Sequence, residues 1–258
     1  MMRHLLSSPR VGAVTGNPRI RTRSTLIGRI QVGEFSSIIG LIKRAQRTYG
    51  KVFTVSGVMV CFRLSALHDV GYWNPDALTE DIDVSWRLEV RHWDVRFEPN
   101  ALCWILMPET LRGLWRQRLR WAMGGSQVLM TQFGVLLRWR QRRLWPIYIE
   151  YFTSVAWAYS MALIVLLFGV GLLVDLPEAL QIRSLVPGWS GLVIGTTCLL
   201  QFGVSMFLDS RYERGYGRYY YWMIWYPLAY WILNVCTSVV ALPSVLLRGR
   251  RRATWKSP

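Results

Sequence analysis

The chain has 258 residues, 52% of them hydrophobic and 18% charged, which excludes a disordered polypeptide because apolar surface to bury is abundant. Its formal charge of +16 rests on 31 basic and 15 acidic residues, and only Lys43, Lys51 and Lys256 are lysines, so the cations are nearly all guanidiniums suited to phosphate, anionic headgroups and aromatic faces. The four cysteines (Cys61, Cys103, Cys198, Cys236) form no CxxC pair, which leaves zinc ribbons, dithiol redox motifs and a disulfide framework without support.

Residues 1–146 hold 22 basic and 10 acidic side chains and read as α/β. Val11–Thr15 predicts a short strand. Phe35–Ala45 has helical spacing through Ile38, Ile39, Leu41 and Ile42, and the β-branched run Val52–Phe62 predicts a buried strand. Thr79–Val90 predicts a helix with Thr79 as its N-cap and acids in its first turn. Two strands are expected around Pro99, Val95–Phe97 and Ala101–Leu106, and then a helical segment, Thr110–Val135, rich in Arg and Trp.

The second part is apolar with basic punctuation. Ile147–Val174, Leu192–Leu208 and Tyr219–Leu247 carry a single charge between them, Glu150, and each is long enough to predict a membrane span. The 14 Trp and 12 Tyr suit the membrane interface. Arginines flank the first span at 138, 140, 142 and 143, and Arg211, Arg214 and Arg218 lie between the second and third. The positive-inside rule therefore puts residues 1–146 and 209–218 in the cytoplasm and 175–191 outside. The tail Arg248–Arg252 also reads as inside, whereas three crossings place it outside; Pro227 offers a break that makes part of the third stretch re-entrant or interfacial. Because the arginines cluster at these boundaries and form no basic–aromatic stripe on a separate module, nucleic acid is not an expected partner.

Two constellations carry candidate chemistry. Thr79-Glu80-Asp81-Ile82-Asp83 packs three carboxylates into four residues. A helix dipole accounts for two of them; the third suits a general base or a metal partner facing a cleft. On a helix Gln117, Arg120 and Trp121 stand at i, i+3 and i+4 on one face, where an amide, a guanidinium and an indole suit a sugar ring or an anion. The same residues also suit an interfacial helix with snorkelling Arg and an aromatic anchor.

TED followed 36 residues later by QxxRW, just ahead of apolar spans, resembles the processive family-two glycosyltransferases, which make cellulose, chitin, hyaluronan and poly-N-acetylglucosamine. The runs VGAVTGNPRIRTRSTLIGRIQVGEFSSIIG, VFTVSGVMVCFRLSAL and FEPNALCWILMPETLRGLWRQRLRW are most similar to the members that make a β-1,6-linked N-acetylglucosamine polymer. The resemblance implies an inverting hexosyltransferase that moves N-acetylglucosamine from UDP-N-acetylglucosamine to a growing polysaccharide of biofilms. It implies Asp81 as catalytic base, with Glu80, Gln117, Arg120 and Trp121 binding substrate. It further implies a multi-pass protein of the bacterial inner (cytoplasmic) membrane, its catalytic part cytoplasmic, in contact with the lipid bilayer and with a small accessory membrane subunit. Mg²⁺ is the implied cofactor.

Family members hold metal and donor diphosphate with a DxD element upstream of the VGAVTGN run, together with an earlier Asp for uracil. Here ten residues precede Val11 and none is Asp. The expectation is thus the carboxyl half of a GT-A-type domain (1–110), interfacial helices with QxxRW (111–146) and a transmembrane region (147–258), without metal ligands and inactive alone. Synthesis of another polymer (hyaluronan, chitin or cellulose), or an inactive membrane fragment that needs a partner chain, stays open as an alternative.

Overall fold

Four of the five backbone N–H groups of residues 52–56 find side-chain acceptors and no strand partner. Val52 N–H donates to Glu89 Oε1 (2.9 Å), Phe53 to Gln46 Oε1 (3.0 Å), Val55 to Ser85 Oγ (2.8 Å) and Ser56 to Thr15 Oγ1 (2.7 Å). This loop stands where a strand over Val52–Phe62 was expected; only Val60–Phe62 is extended and paired. Buried backbone donors must be satisfied, and here four side chains from three separate elements do what a ladder does elsewhere.

The computed structural model of the chain describes residues 1–48, 50–182, 184–185 and 188–248. The expected tail Arg248–Arg252 falls outside the described residues beyond its first member. The sheet has three strands in the order β2–β1–β3: β1 (Val11–Ile20) is central, β2 (Val60–Phe62) runs antiparallel to it and β3 (Asp94–Ile105) parallel. Every β1 residue is buried, including Thr15, Asn17 and Arg19. The two strands expected around Pro99 are one. The register slips between Thr15↔Phe97 and Asn17↔Leu102, and Asn17 Nδ2 donates to Pro99 O (3.1 Å) across the slip. Proline cannot donate to the ladder, so the irregularity falls at it.

Around this sheet lie α1 (Met2–Ser7), α2 (Leu26–Phe35), a π-helical segment Ser36–Ile42, α3 (Lys43–Thr48), α4 (Leu64–Val70), α5 (Glu80–Val90) and α6 (Leu111–Thr131). The π segment makes α2 to α3 one rod with a local change of register, a device frequent at functional sites. One core joins β1, α4, α5 and the loop after residue 51 through Ala13, Val52, Val55, Ala66, Val84 and Leu88.

Helices α7 (Trp145–Gly171), α8 (Trp189–Asp209) and α9 (Trp231–Arg248) are long and apolar enough to cross a membrane, in a mixed α/β protein that is mostly helical. The third apolar stretch, expected to span from residue 219, divides. Residues Tyr216–Trp225 form 3-10 helix and Tyr226–Tyr230 a π turn before α9 begins. Tyr216, Tyr219, Met223, Tyr226 and Tyr230 are buried against Ile30, Val32 and Phe35 of α2. The tyrosine hydroxyls explain the docking: Tyr216 donates to Val32 O (2.9 Å) and Tyr220 to Leu199 O (3.0 Å), bonds that a lipid-facing helix would not supply.

Candidate active site

Thr79 starts α5 with extended backbone (φ −135°, ψ 103°), as an N-cap residue should, but its side chain makes no capping bond and its Oγ1 is buried without a partner. The reason lies in α6. Gly124 has no side chain, and the Thr79 side chain fills that notch, turned away from the N–H groups of α5. Gly125 leaves matching room for Tyr151 of α7, so the glycine pair lets α6 fit between the start of α5 and α7. Gln127 of α6 fixes the approach to this corner, accepting from Leu78 N–H (2.9 Å) and donating to Asp76 O (3.0 Å). Gly124→Val should therefore lower stability by about 1–3 kcal/mol through overpacking, read as a fall in thermal midpoint in detergent. Thr79→Gly in the same chain should recover more than half of that fall; no recovery would show that the strain lies elsewhere.

The three carboxylates diverge, which relieves their repulsion. Glu80 is exposed. Asp83 turns outward to Arg87, whose Nε donates to its Oδ2 (2.7 Å). Asp81 alone turns inward: its Oδ1 accepts from Ile82 N–H (2.9 Å), and its Oδ2 lies 3.6 Å from where a Cβ on Gly57 would stand. Ser85 Oγ donates to Asp81 O (2.6 Å) and accepts from Val55, tying the loop to α5. Burial holds the Asp81 carboxyl above the usual carboxylate range, helped by the neighbouring charge of Glu80 and opposed by the Ile82 N–H and by Lys43. Lys43, Ser56 and Gly57 thus belong to the site although sequence reasoning missed them. The available signal was a lysine in a chain that otherwise uses arginine.

On α6, Gln117 donates to Met107 Sδ (3.6 Å), while its Oε1 is buried without a partner. Trp121 lies against Phe35 (ring centroids 6.2 Å apart) and under the Arg118 guanidinium (4.5 Å). Arg118 in turn pairs with Glu34 in a buried bridge of 2.6 Å. This pairing was not anticipated, though a lone acid in the apolar run IQVGEFSS is a signal for it. Trp121 therefore packs toward α2 and its core, not outward as a bare lipid anchor would. Arg120 is half-buried. One helix thus carries the QxxRW residues and, a turn further on, the glycine that abuts Thr79 and so adjoins Asp81.

A cavity of about 380 Å³ lies apart from Asp81, between the π segment, α8 and the start of α9, bordered by Glu34, Ser37, Gln201, Tyr226 and Trp231. Related enzymes commonly use a divalent metal. Among the described residues no group of three or more His, Cys, Asp or Glu side chains could hold one. The TED acids do not fit one either, since Asp83 is taken by Arg87 and Asp81 lies in the field of the Lys43 ammonium.

Residues 1–234 match the family model described as glycosyl transferase family group 2. The chain is 41% identical over 264 residues to a protein of Staphylococcus epidermidis (strain RP62A) named poly-beta-1,6-N-acetyl-D-glucosamine synthase, covering all of this chain and 63% of the relative. A protein of the same name from Staphylococcus aureus (strain COL) is 42% identical over 259 residues, again covering all of this chain and 63% of that protein. The chain thus spans less than two thirds of the length of these curated relatives.

Proposed function

The chain belongs to the group 2 glycosyltransferase family, and on that premise we propose that it takes part in extending a β-1,6-linked polysaccharide by transfer of N-acetylglucosamine from UDP-N-acetylglucosamine. The observation that carries this reading is Asp81: of the three TED acids it is the one turned inward, in the field of the Lys43 ammonium and close against Gly57.

Asp81 Oδ2 takes the proton of the acceptor hydroxyl as that oxygen attacks C1 of the donor sugar, and the C1–O bond to UDP breaks on the opposite face, inverting the centre. A carboxyl held above its usual range suits a general base, because proton affinity nearer the working pH strengthens the pull on the hydroxyl. Trp121 and Gln117 bind the acceptor end of the chain, Arg120 faces the departing diphosphate, and Glu80 holds the rim. With arginines before α7 and after α8, the catalytic part lies at the cytoplasmic face of a bacterial inner membrane crossed by α7, α8 and α9, beside a small accessory subunit. Identity near 40% with the β-1,6 synthases supports this polymer over hyaluronan, chitin or cellulose.

The test is incorporation of radiolabel from UDP-N-acetylglucosamine into polymer by membranes of a synthase-free host that expresses the chain joined to the upstream part of a related synthase, which supplies the DxD element expected to hold the donor diphosphate. Label should appear in material that a β-1,6-specific hexosaminidase degrades. Polymer that resists that enzyme, or label drawn equally from UDP-glucose, would overturn the assignment.

A further inference from the structure

Lys43 begins α3 directly after the π segment and is only 3% exposed. Its ammonium donates to Ser56 Oγ at 2.9 Å. Ser56 is itself fixed, since its N–H donates to Thr15 Oγ1 of the central strand. The next residue, Gly57, faces the site acids: a Cβ there would stand 3.6 Å from Asp81 Oδ2 and 3.7 Å from Glu80 Oε1. The serine that holds the cation thus adjoins the glycine that touches the candidate base. A buried ammonium is costly unless an anion offsets its desolvation. The acid whose field does so is Asp81.

We propose that Lys43 is a positioning residue for the transfer: clamped by Ser56, its ammonium keeps the Asp81 carboxylate ionised and directed across Gly57 toward the acceptor hydroxyl. The proposal rests on the glycosyltransferase reading of Asp81. The charged groups that act on Asp81 are Glu80 from its own helix and Lys43 from α3. Burial and Glu80 both favour the protonated acid, which cannot accept a proton, and Lys43 is the charge that opposes them. Burial, partly offset by Asp81, brings Lys43 down to about 7. The device therefore acts on the acid side: protonation of Asp81 stops the transfer, and the Lys43 charge sets how far down in pH the carboxylate survives, the two titrations belonging to the pair.

Two measurements test this. With ¹³Cε-lysine in the detergent-solubilised chain, the three lysines give three signals, assigned by Lys→Arg variants. The Lys43 signal should titrate near neutrality. Asp81→Asn should lower its midpoint by about one pH unit, and Asp83→Asn should leave it in place. An unchanged Lys43 midpoint in Asp81→Asn would overturn the proposal. The second measurement is the pH profile of polymer formation. Lys43→Met should move the acid limb to higher pH, because Asp81 loses its opposing cation. Lys43→Arg should keep the parent's acid limb. A purely structural role for Lys43 would lower output at all pH values without moving that limb, and that result would also overturn the proposal. Absence of polymer at every pH from the parent joined to the upstream part of a related synthase would end the glycosyltransferase reading instead, while the lysine titration would still decide the pairing.

Discussion

Asp81→Asn should lower polymer formation by about 10²–10⁴-fold, the usual contribution of a positioned general base. The substitution is nearly isosteric. Its amide oxygen can still accept from Ile82 N–H, and Ser85 bonds the backbone carbonyl of residue 81, not its side chain. The fold therefore has little reason to change, and removing a carboxyl that burial disfavours relieves the pocket of a desolvation cost. The same change removes the anion that offsets the buried Lys43 ammonium, which can then release its proton, so thermal stability near neutral pH should change little while output falls, a combination that loss of folding cannot produce. Asp83→Asn is the matched control two residues along the same helix. It weakens one partly exposed pair with Arg87, worth at most about 1 kcal/mol, and Arg87 keeps its bonds to the carbonyls of Val70 and Tyr72. Output within twofold of the parent is expected there. An Asp81→Asn protein that makes polymer within twofold of the parent would remove Asp81 from the chemistry.

What the sequence made legible, and what it hid, follows from where each residue finds its partners. Three acids in four residues are conspicuous because the arrangement is costly, and the α5 helix beneath them follows from local spacing. Which acid turns inward was not legible on composition, since Gly57, Lys43 and Gly124 decide it, and these come from elements 24 to 43 residues away. The run after Lys51 looked like a strand because β-branched residues suit one. Its N–H groups are satisfied by Gln46, Ser85, Glu89 and Thr15, and no local pattern announces such partners. Tyr216–Tyr230 looked like part of a span because hydropathy credits the ring and discounts the hydroxyl. The hydroxyls then sought carbonyls on α2 and α8.

Asp209→Ala should produce the largest loss of stability. Asp209 is fully buried at the last turn of α8, where a carboxylate meets the negative end of the helix dipole and needs cations to be tolerated. Three elements supply its partners: Arg19 of β1 donates to Oδ2 at 2.6 Å, Ser36 of the π segment to the same oxygen at 2.9 Å, and Arg44 of α3 to Oδ1 at 3.2 Å. A helix apolar enough to span a membrane is thereby bolted to the sheet and to the rod that carries Lys43. Without the carboxylate, Arg19 keeps Glu213 at 3.9 Å and the Tyr216 and Tyr212 rings at 4.2 and 5.9 Å, while Glu213 is already engaged by Arg23. Leaving such a charge buried costs about 3–5 kcal/mol, which at this chain length is a fall of about 8–15 °C in thermal midpoint. Arg19→Met together with Asp209→Leu removes both charges and should lose far less than the sum of the single variants, because the penalty arises from the orphaned partner more than from the missing bond. If the two losses simply add, Arg19 and Asp209 are not coupled, and the bolt must be assigned to Ser36 and Arg44. Coupling with Arg19 would instead mean that the seat of α8 is set from the central strand, the same strand whose Thr15 holds Ser56, so one element fixes both the membrane helix and the pocket of the candidate base.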